Sequence, residues 1–284
     1  MNHVAIVIPT HNRHVLIPDL VSHYQNIGRQ VYLLDSSTAS YEGDIARNIV
    51  YIHLPGYPFA RKILHLKNII NIKFVYLVAD DDFLVADIDS AVLALSSSSC
   101  SVYTGSIAWF DNHSRHKSVR YTSLNNFAIY RPNGPARFLG NYKMILWSLY
   151  KYEDLLYIFD KIMLCDIKND NFIEMIISYL GQERGGIYID SCVTIYRHIE
   201  LGDNSWGKRH TPLGMYEHFN SDVASLSKLL SLNSTFHFSD DASIYYENSQ
   251  SSPPLLKSFI KMMLMGLKLQ RLVFYLSYRR TQQW

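Results

Sequence analysis

A chain of 284 residues with 48% hydrophobic and 18% charged residues has a globular composition, and it is long enough for one large α/β domain with an appendage. Its net charge of +2 is too small to mark a nucleic-acid binder, and its three widely spaced cysteines, with no CxxC pair, argue against a disulfide framework or a zinc ribbon. The cysteine usage, an N-terminus without a leader pattern, and the lack of an apolar run near the ~20 residues of a membrane-spanning helix lead us to expect a cytoplasmic protein.

Residues 4–8 form an apolar, largely β-branched run closed by Pro9, with Thr10, His11, Asn12 and Arg13 following as a loop. Over 14–27, apolar residues at Leu16, Leu20, Tyr24 and Ile27 have helical spacing, and Gly28 stops the helix. Residues 31–34 predict a strand ending in Asp35-Ser36-Ser37, and 50–54 predict another ending in Pro55-Gly56-Tyr57-Pro58. A helix over 60–70 turns Ile63, Leu66, Ile69 and Ile70 inward. Further along, the pattern predicts helices over 86–95, 145–162, 171–180 and 215–232, with strands over 101–110 and 187–196. Residues 111–135 are polar and irregular and read as a substrate-contacting loop. Alternation of strands and helices implies a mostly parallel sheet.

The most informative stretch is Phe74-Val75-Tyr76-Leu77-Val78-Ala79-Asp80-Asp81-Asp82-Phe83. A continuous apolar run is the mark of a strand covered on both faces. Three adjacent carboxylates repel one another, so they need a cation or donor groups to compensate them. The carboxyl end of a central strand, where open α/β sheets place their ligands, supplies such a setting, although Asp is also favoured at a helix N-terminus. Polar residues recur just after three strands, at 10–13, 35–37 and 80–82, which gathers them on one sheet edge.

Pro253-Pro254 opens a last segment in which Lys257, Lys261 and Lys268 fall on one side of a helical projection, largely opposite Phe259, Ile260, Met263, Leu264 and Leu267. Such a basic amphipathic helix over 255–280 either lies on an anionic membrane surface or docks on protein. We therefore divide the chain into a catalytic domain over 1–210 and a C-terminal helical extension over 211–284.

VAIVIPTHNR, VYLLDSS and VYLVADDDF, in this order and spacing, resemble the GT-A-fold nucleotide-sugar glycosyltransferases, above all the large inverting, family-2-like group that builds bacterial polysaccharides. The resemblance is looser over 170–198 and ends by Arg209. It implies a GT-A (Rossmann-like), mostly parallel α/β sheet flanked by helices, and transfer of a sugar from a nucleotide-sugar donor to a glycan or lipid-linked acceptor in surface polysaccharide synthesis. Self-association is left open by it.

By that resemblance, Pro9, Thr10, His11 and Arg13 would wrap the base and ribose, and Asp35 would accept a hydrogen bond from the base. Arg61 or Lys62 would stand near the donor, Asp80 would shape the turn at its edge, and Asp81 would bond the ribose. Asp82 would coordinate Mg²⁺ or Mn²⁺, with His198 as second ligand, because hard oxygen ligands suit ions that take the rest of their shell from phosphates and water. Lys208, Arg209 and His210 would close over the pyrophosphate. Glu174, with Asp170 next, would be the general base; the same residues read equally as a helix cap and capping box. A sugar-nucleotide nucleotidyltransferase would need a Gly-rich loop after the first strand, and PTHNR has no glycine. A non-catalytic nucleotide- or sugar-binding subunit is the alternative from a different class.

Overall fold

The computed structural model describes residues 3–110, 120–122, 128–130, 145–165, 167 and 170–198, together with 221, 222, 225 and 228. The expected membrane-active or docking helix over 255–280, the loop residues Lys208, Arg209 and His210, and nearly all of the helix expected over 215–232 lie outside the described residues. No helix among the described residues is long and apolar enough to cross a membrane.

The first half winds as a parallel unit. Strands β1 (Val4–Thr10), β2 (Gln30–Asp35), β3 (Ile49–His53) and β4 (Phe74–Leu77) alternate with helices α1 (Ile17–Tyr24) and α2 (Phe59–His65). β1 pairs in parallel with β2 on one side and β4 on the other, and β3 continues the sheet beyond β2. The strand order β3-β2-β1-β4 therefore reverses direction of growth between β1 and β4, which is where a doubly wound sheet opens a crevice.

The second half extends the sheet through β9 (Leu149–Lys151), β6 (Val102–Phe110), β10 (Ile187–His198) and β5 (Asp82–Leu84). β9 is antiparallel to both β4 and β6, and β6 is parallel to β10, so all strands of the main path except β9 and β5 run one way. Two short strands, β7 (Arg120–Thr122) and β8 (Ala128–Tyr130), pair with β6 and β10. They correct the reading of 111–135 as wholly irregular.

Side chains alternate along each strand and so feed two cores. Val7, Leu34, Val75 and Leu77 pack with α2, α4 (Tyr152–Met163) and α5 (Asp170–Arg184). Ile6, Ile8, Leu33 and Tyr76 pack on the opposite face with α1 and α3 (Ile88–Ser96). Coverage of both faces is the reason the β1 and β4 sequences are continuously apolar.

The helix expected over 145–162 is two elements: the strand β9 and then α4. Leu149 and Tyr150 are fully buried in the sheet between β4 and β6. A short apolar run has no period of its own, so pairing partners decide its state, and here both neighbours were strands.

β5 has three residues and pairs with β10 at the end of the strand path, so it needs further anchors. One is Tyr24, whose buried hydroxyl accepts from the Leu84 N–H at 3.0 Å and donates to the Asp82 carbonyl at 3.4 Å. The other is an ion pair across the β5–β10 ladder. Arg197 reaches both carboxylate oxygens of Asp82, with Nε at 2.9 and 3.1 Å and Nη2 at 2.6 Å. Asp82 is 0% exposed. Burial opposes the charge on Arg197, but its hydrogen bonds to Asp82 outweigh that and hold its pKa above the ordinary value. Burial also pushes the Asp82 carboxyl upward against the pull of Arg197. The two-pronged contact to a guanidinium that stays charged favours the ionised carboxylate.

A buried carboxylate left without its partner is costly, so Arg197→Met is expected to lose about 3–5 kcal/mol of stability. This would be read as a lower urea midpoint with unchanged slope. Arg197→Met combined with Asp82→Leu should recover most of that loss. A double variant no more stable than the single one would show that the ion pair is not what fixes β5.

Candidate functional site

The crevice between β1 and β4 is closed at its floor by contacts between the segments that follow the two strands. Thr10, the last residue of β1, donates from its hydroxyl to Asp80 Oδ2 at 2.7 Å. Arg13 then bridges two carboxylates, with Nη1 at 2.6 Å from Asp80 Oδ1 and Nη2 at 3.0 Å from Asp81 Oδ2. Lys62, buried on α2, donates to the Thr10 carbonyl at 2.8 Å. Burial raises the Asp80 carboxyl above its ordinary range, against the pull of Thr10, Arg13 and Lys62.

The loop carrying Arg13 is set by its own backbone. Asn12 takes a left-handed φ of 54°, a conformation that Asn tolerates better than most residues, and its N–H donates to Ser37 Oγ at 2.7 Å. Gly56, at φ 73°, turns the segment after β3 so that its N–H meets the Ser36 carbonyl at 3.2 Å. The post-strand loops of β1, β2 and β3 are thereby tied into one rim.

A cavity of about 520 Å³ opens over this floor. Its polar lining comes from the strand ends, with Thr10, His11, Arg13, Ser36 and Asp80, and from Lys62 of α2. The rest of the lining is largely apolar and includes Tyr57, Phe59, Leu146, Trp147 and Ile173. Phe59 meets Trp147 edge-on with ring centroids 6.1 Å apart. These apolar wall residues were not legible as site residues in the sequence, because aromatic residues at such positions read first as packing.

Of the expected site residues, Pro9, Thr10, His11, Arg13, Lys62 and Asp80 come together around the cavity, with Asp81 joined through Arg13. Between Arg61 and Lys62 the structure distinguishes clearly. Lys62 lines the cavity, whereas Arg61 is exposed with its guanidinium 4.4 Å from the Tyr57 ring centroid.

Two expected residues lie away from the cavity lining. Asp82, expected as the ion ligand, is spent on Arg197 inside the sheet and does not line the cavity. Asp35, expected to accept from a base, is 0% exposed and also lies outside the cavity lining. Its Oδ2 accepts from Tyr51 Oη at 2.6 Å and lies 2.7 Å from His14 Nε2, and its Oδ1 accepts from the Ser37 N–H at 2.8 Å and from the Ser37 hydroxyl. A carboxylate offers about four lone-pair sites, and these contacts fill them. Burial works to raise the Asp35 pKa, but these hydrogen bonds outweigh it and leave it lowered.

Glu174 lies in α5, one residue beyond Ile173 of the cavity wall, and is half-buried, with an electrostatic interaction with Arg197. Asp170 is the first residue of that helix. His198 ends β10, beside Arg197 in the sequence and opposite Phe110 in the β6 register.

Among the described residues, no three His, Cys, Asp or Glu side chains gather as a metal cage. A cation that draws most of its shell from phosphate and water needs only one or two carboxylates. Asp81, with 27% of its side chain exposed, is the most open of the three aspartates, whereas Asp82 is held by Arg197.

No protein-family model and no curated protein matches the chain. The solved structures do. The crystal structure of S. aureus TarS 1-349 in complex with UDP-GlcNAc superposes with a TM-score of 0.53 at 16% identity, covering 86% of this chain and 70% of that one. Another S. aureus TarS structure gives 0.52 at 15% identity, covering 84% of this chain and 41% of that one. At such identities the likeness is one of fold, and the chain has a Rossmann-like glycosyltransferase fold.

Proposed function

We propose that this protein is a nucleotide-sugar glycosyltransferase that uses the β1–β4 crevice as its donor site. The observation that carries the reading is the cavity at the switch point, where Thr10, Arg13, Lys62 and Asp80 converge in a fold shared with a protein crystallised with UDP-GlcNAc. A nucleoside diphosphate needs positive charge for its phosphates, hydroxyl acceptors for its ribose and a face for its base. Lys62 and Arg13 supply the first, Asp80 the second, and His11 or Tyr57 the third.

A bound Mg²⁺ or Mn²⁺ would neutralise the pyrophosphate and stabilise the departing nucleoside diphosphate. In this reading Asp81 replaces Asp82 as the carboxylate that holds it. His198 as a second ligand stays a proposal of the resemblance. Glu174, carried on the helix that forms the cavity wall, takes the acceptor hydroxyl's proton, with Asp170 as the alternative base. Attack by that acceptor oxygen on the anomeric carbon, opposite the departing nucleoside diphosphate, gives an inverting transfer. The acceptor, a glycan or lipid-linked glycan of a surface polysaccharide, follows from the resemblance of the sequence.

Ligand binding to the native state stabilises it by about 2.7 kcal/mol at a hundred times Kd. UDP or UDP-GlcNAc with Mn²⁺ should therefore raise the melting temperature, and Lys62→Met should abolish the shift. If no nucleoside diphosphate or nucleotide-sugar moves the melting temperature, the donor-site reading fails.

Asp81→Asn should lower transfer or donor hydrolysis by about a hundredfold or more while leaving the urea midpoint near wild type. Unchanged turnover in that variant would remove Asp81 from the machinery.

Asp35 behaves differently because its contacts are all internal. Its pKa is lowered in the folded state, so its contribution to stability is present above the unfolded carboxylate pKa of about 3.9 and is lost as pH falls through the folded value. Asp35→Asn should lower stability at neutral pH and flatten the acid limb below about pH 4. Discrimination between UDP and CDP should be unaltered. A selective loss of UDP binding would restore Asp35 to the role of base reader.

A further inference from the structure

The Arg13 guanidinium lies between the two carboxylates that face the crevice, with one nitrogen 2.6 Å from Asp80 and another 3.0 Å from Asp81. A divalent cation brought to either aspartate would meet the positive charge of Arg13 and, at Asp80 Oδ1 or Asp81 Oδ2, an oxygen that Arg13 already holds. The neighbouring charges sharpen the point. Asp82 is compensated by Arg197, and Asp80 feels Lys62 as well as Arg13. The cluster of Asp80, Asp81 and Asp82 thus meets Arg13, Lys62 and Arg197 before any ligand arrives, with Glu174 also acting on Arg197. Positive charge so placed weakens the attraction of the aspartates for a cation from solution.

Resting on the glycosyltransferase reading, we propose that Arg13 is a built-in competitor for the divalent cation: in the nucleotide-free protein it bridges Asp80 and Asp81, and it gives up Asp81 only when a nucleoside diphosphate offers it a second anionic partner. Cation and nucleotide then bind synergistically, each raising the affinity for the other by the same factor. The geometry allows the exchange. The Arg13 side chain is 33% exposed and borders the cavity, so it can turn toward a phosphate without unpacking the core. Asp80 keeps its Thr10 hydrogen bond throughout. The Asp82–Arg197 pair, by contrast, has side chains only 0% and 14% exposed and takes no part.

Mn²⁺ binding to the full-length chain, followed by electron paramagnetic resonance of the free ion, tests the proposal without reference to activity. Wild-type protein should bind Mn²⁺ weakly alone and about tenfold or more tightly with saturating UDP, the equivalent of recovering one charge-assisted hydrogen bond. Arg13→Gln should bind Mn²⁺ alone about tenfold more tightly than wild type, with the UDP dependence reduced. Arg13→Lys, which keeps the charge but cannot bridge two carboxylates, should fall between them, and circular dichroism establishes that both variants are folded. Equal Mn²⁺ affinity in wild type and Arg13→Gln overturns the proposal. Should UDP bind neither with nor without Mn²⁺, it is the donor-site reading that falls, and the two failures are thus distinct.

Discussion

The structure depends on how three consecutive carboxylates are compensated. In water two like charges 4 Å apart repel by about 1 kcal/mol, and near a protein surface by about 4 kcal/mol. Asp80, Asp81 and Asp82 would therefore disrupt the end of β4 if they stayed together. They do not stay together. Thr10, Arg13 and Lys62, from β1, its loop and α2, converge on Asp80 and its neighbour, and Arg197 takes Asp82 from the far end of β10. The compensation joins segments distant in sequence, and in doing so it locks the edge of the sheet around the crevice.

That division of labour also explains why the chain turns where it does. Asp82 begins β5, which runs antiparallel to β10 with Asp82 in register with Arg197. β4 and β5 belong to one apolar-then-acidic stretch, yet they sit at different places in the sheet. The turn through 79–81 leaves Asp80 and Asp81 at the crevice and sends Asp82 inward. Tyr24 fixes the same strand from the α1 side, so a helix of the first half and a strand of the second both hold three residues in place.

Much of this was legible in the sequence where both neighbours of an element are local. β1, β2, β3 and β4, α1 and α2 follow from apolar periodicity and strand-end polar residues, and their carboxyl ends mark the crevice correctly. What was not legible depended on partners far along the chain. Nothing near residue 149 announces that Leu149 and Tyr150 would be enclosed between β4 and β6. Asp82 looks like its two neighbours until Arg197, 115 residues away, is brought against it. Asp35 likewise reads as an available acceptor; only the fold shows Tyr51, His14 and Ser37 filling it. The strand over 187–196 was visible, but the register that sets Arg197 against Asp82 of β5 was not.

The acidic and basic groups of the site form a gradient of commitment. Asp35 and Asp82 are fully buried and multiply bonded, and removal of either partner would leave an unsatisfied charge in the interior. Asp80 is nearly buried and is held by Thr10 as well as Arg13. Asp81 and Arg13 retain 27% and 33% side-chain exposure, and an ion pair in that setting contributes little and is readily exchanged. A ligand that enters the cavity meets the rigid contacts as a preformed frame and the exchangeable one at its rim. Of the contacts Arg13 makes with the two aspartates, that with Asp81 is thus the more exposed and the more readily exchanged. Asp35 and Asp82, buried and multiply bonded, hold the strand ends from which that rim is built.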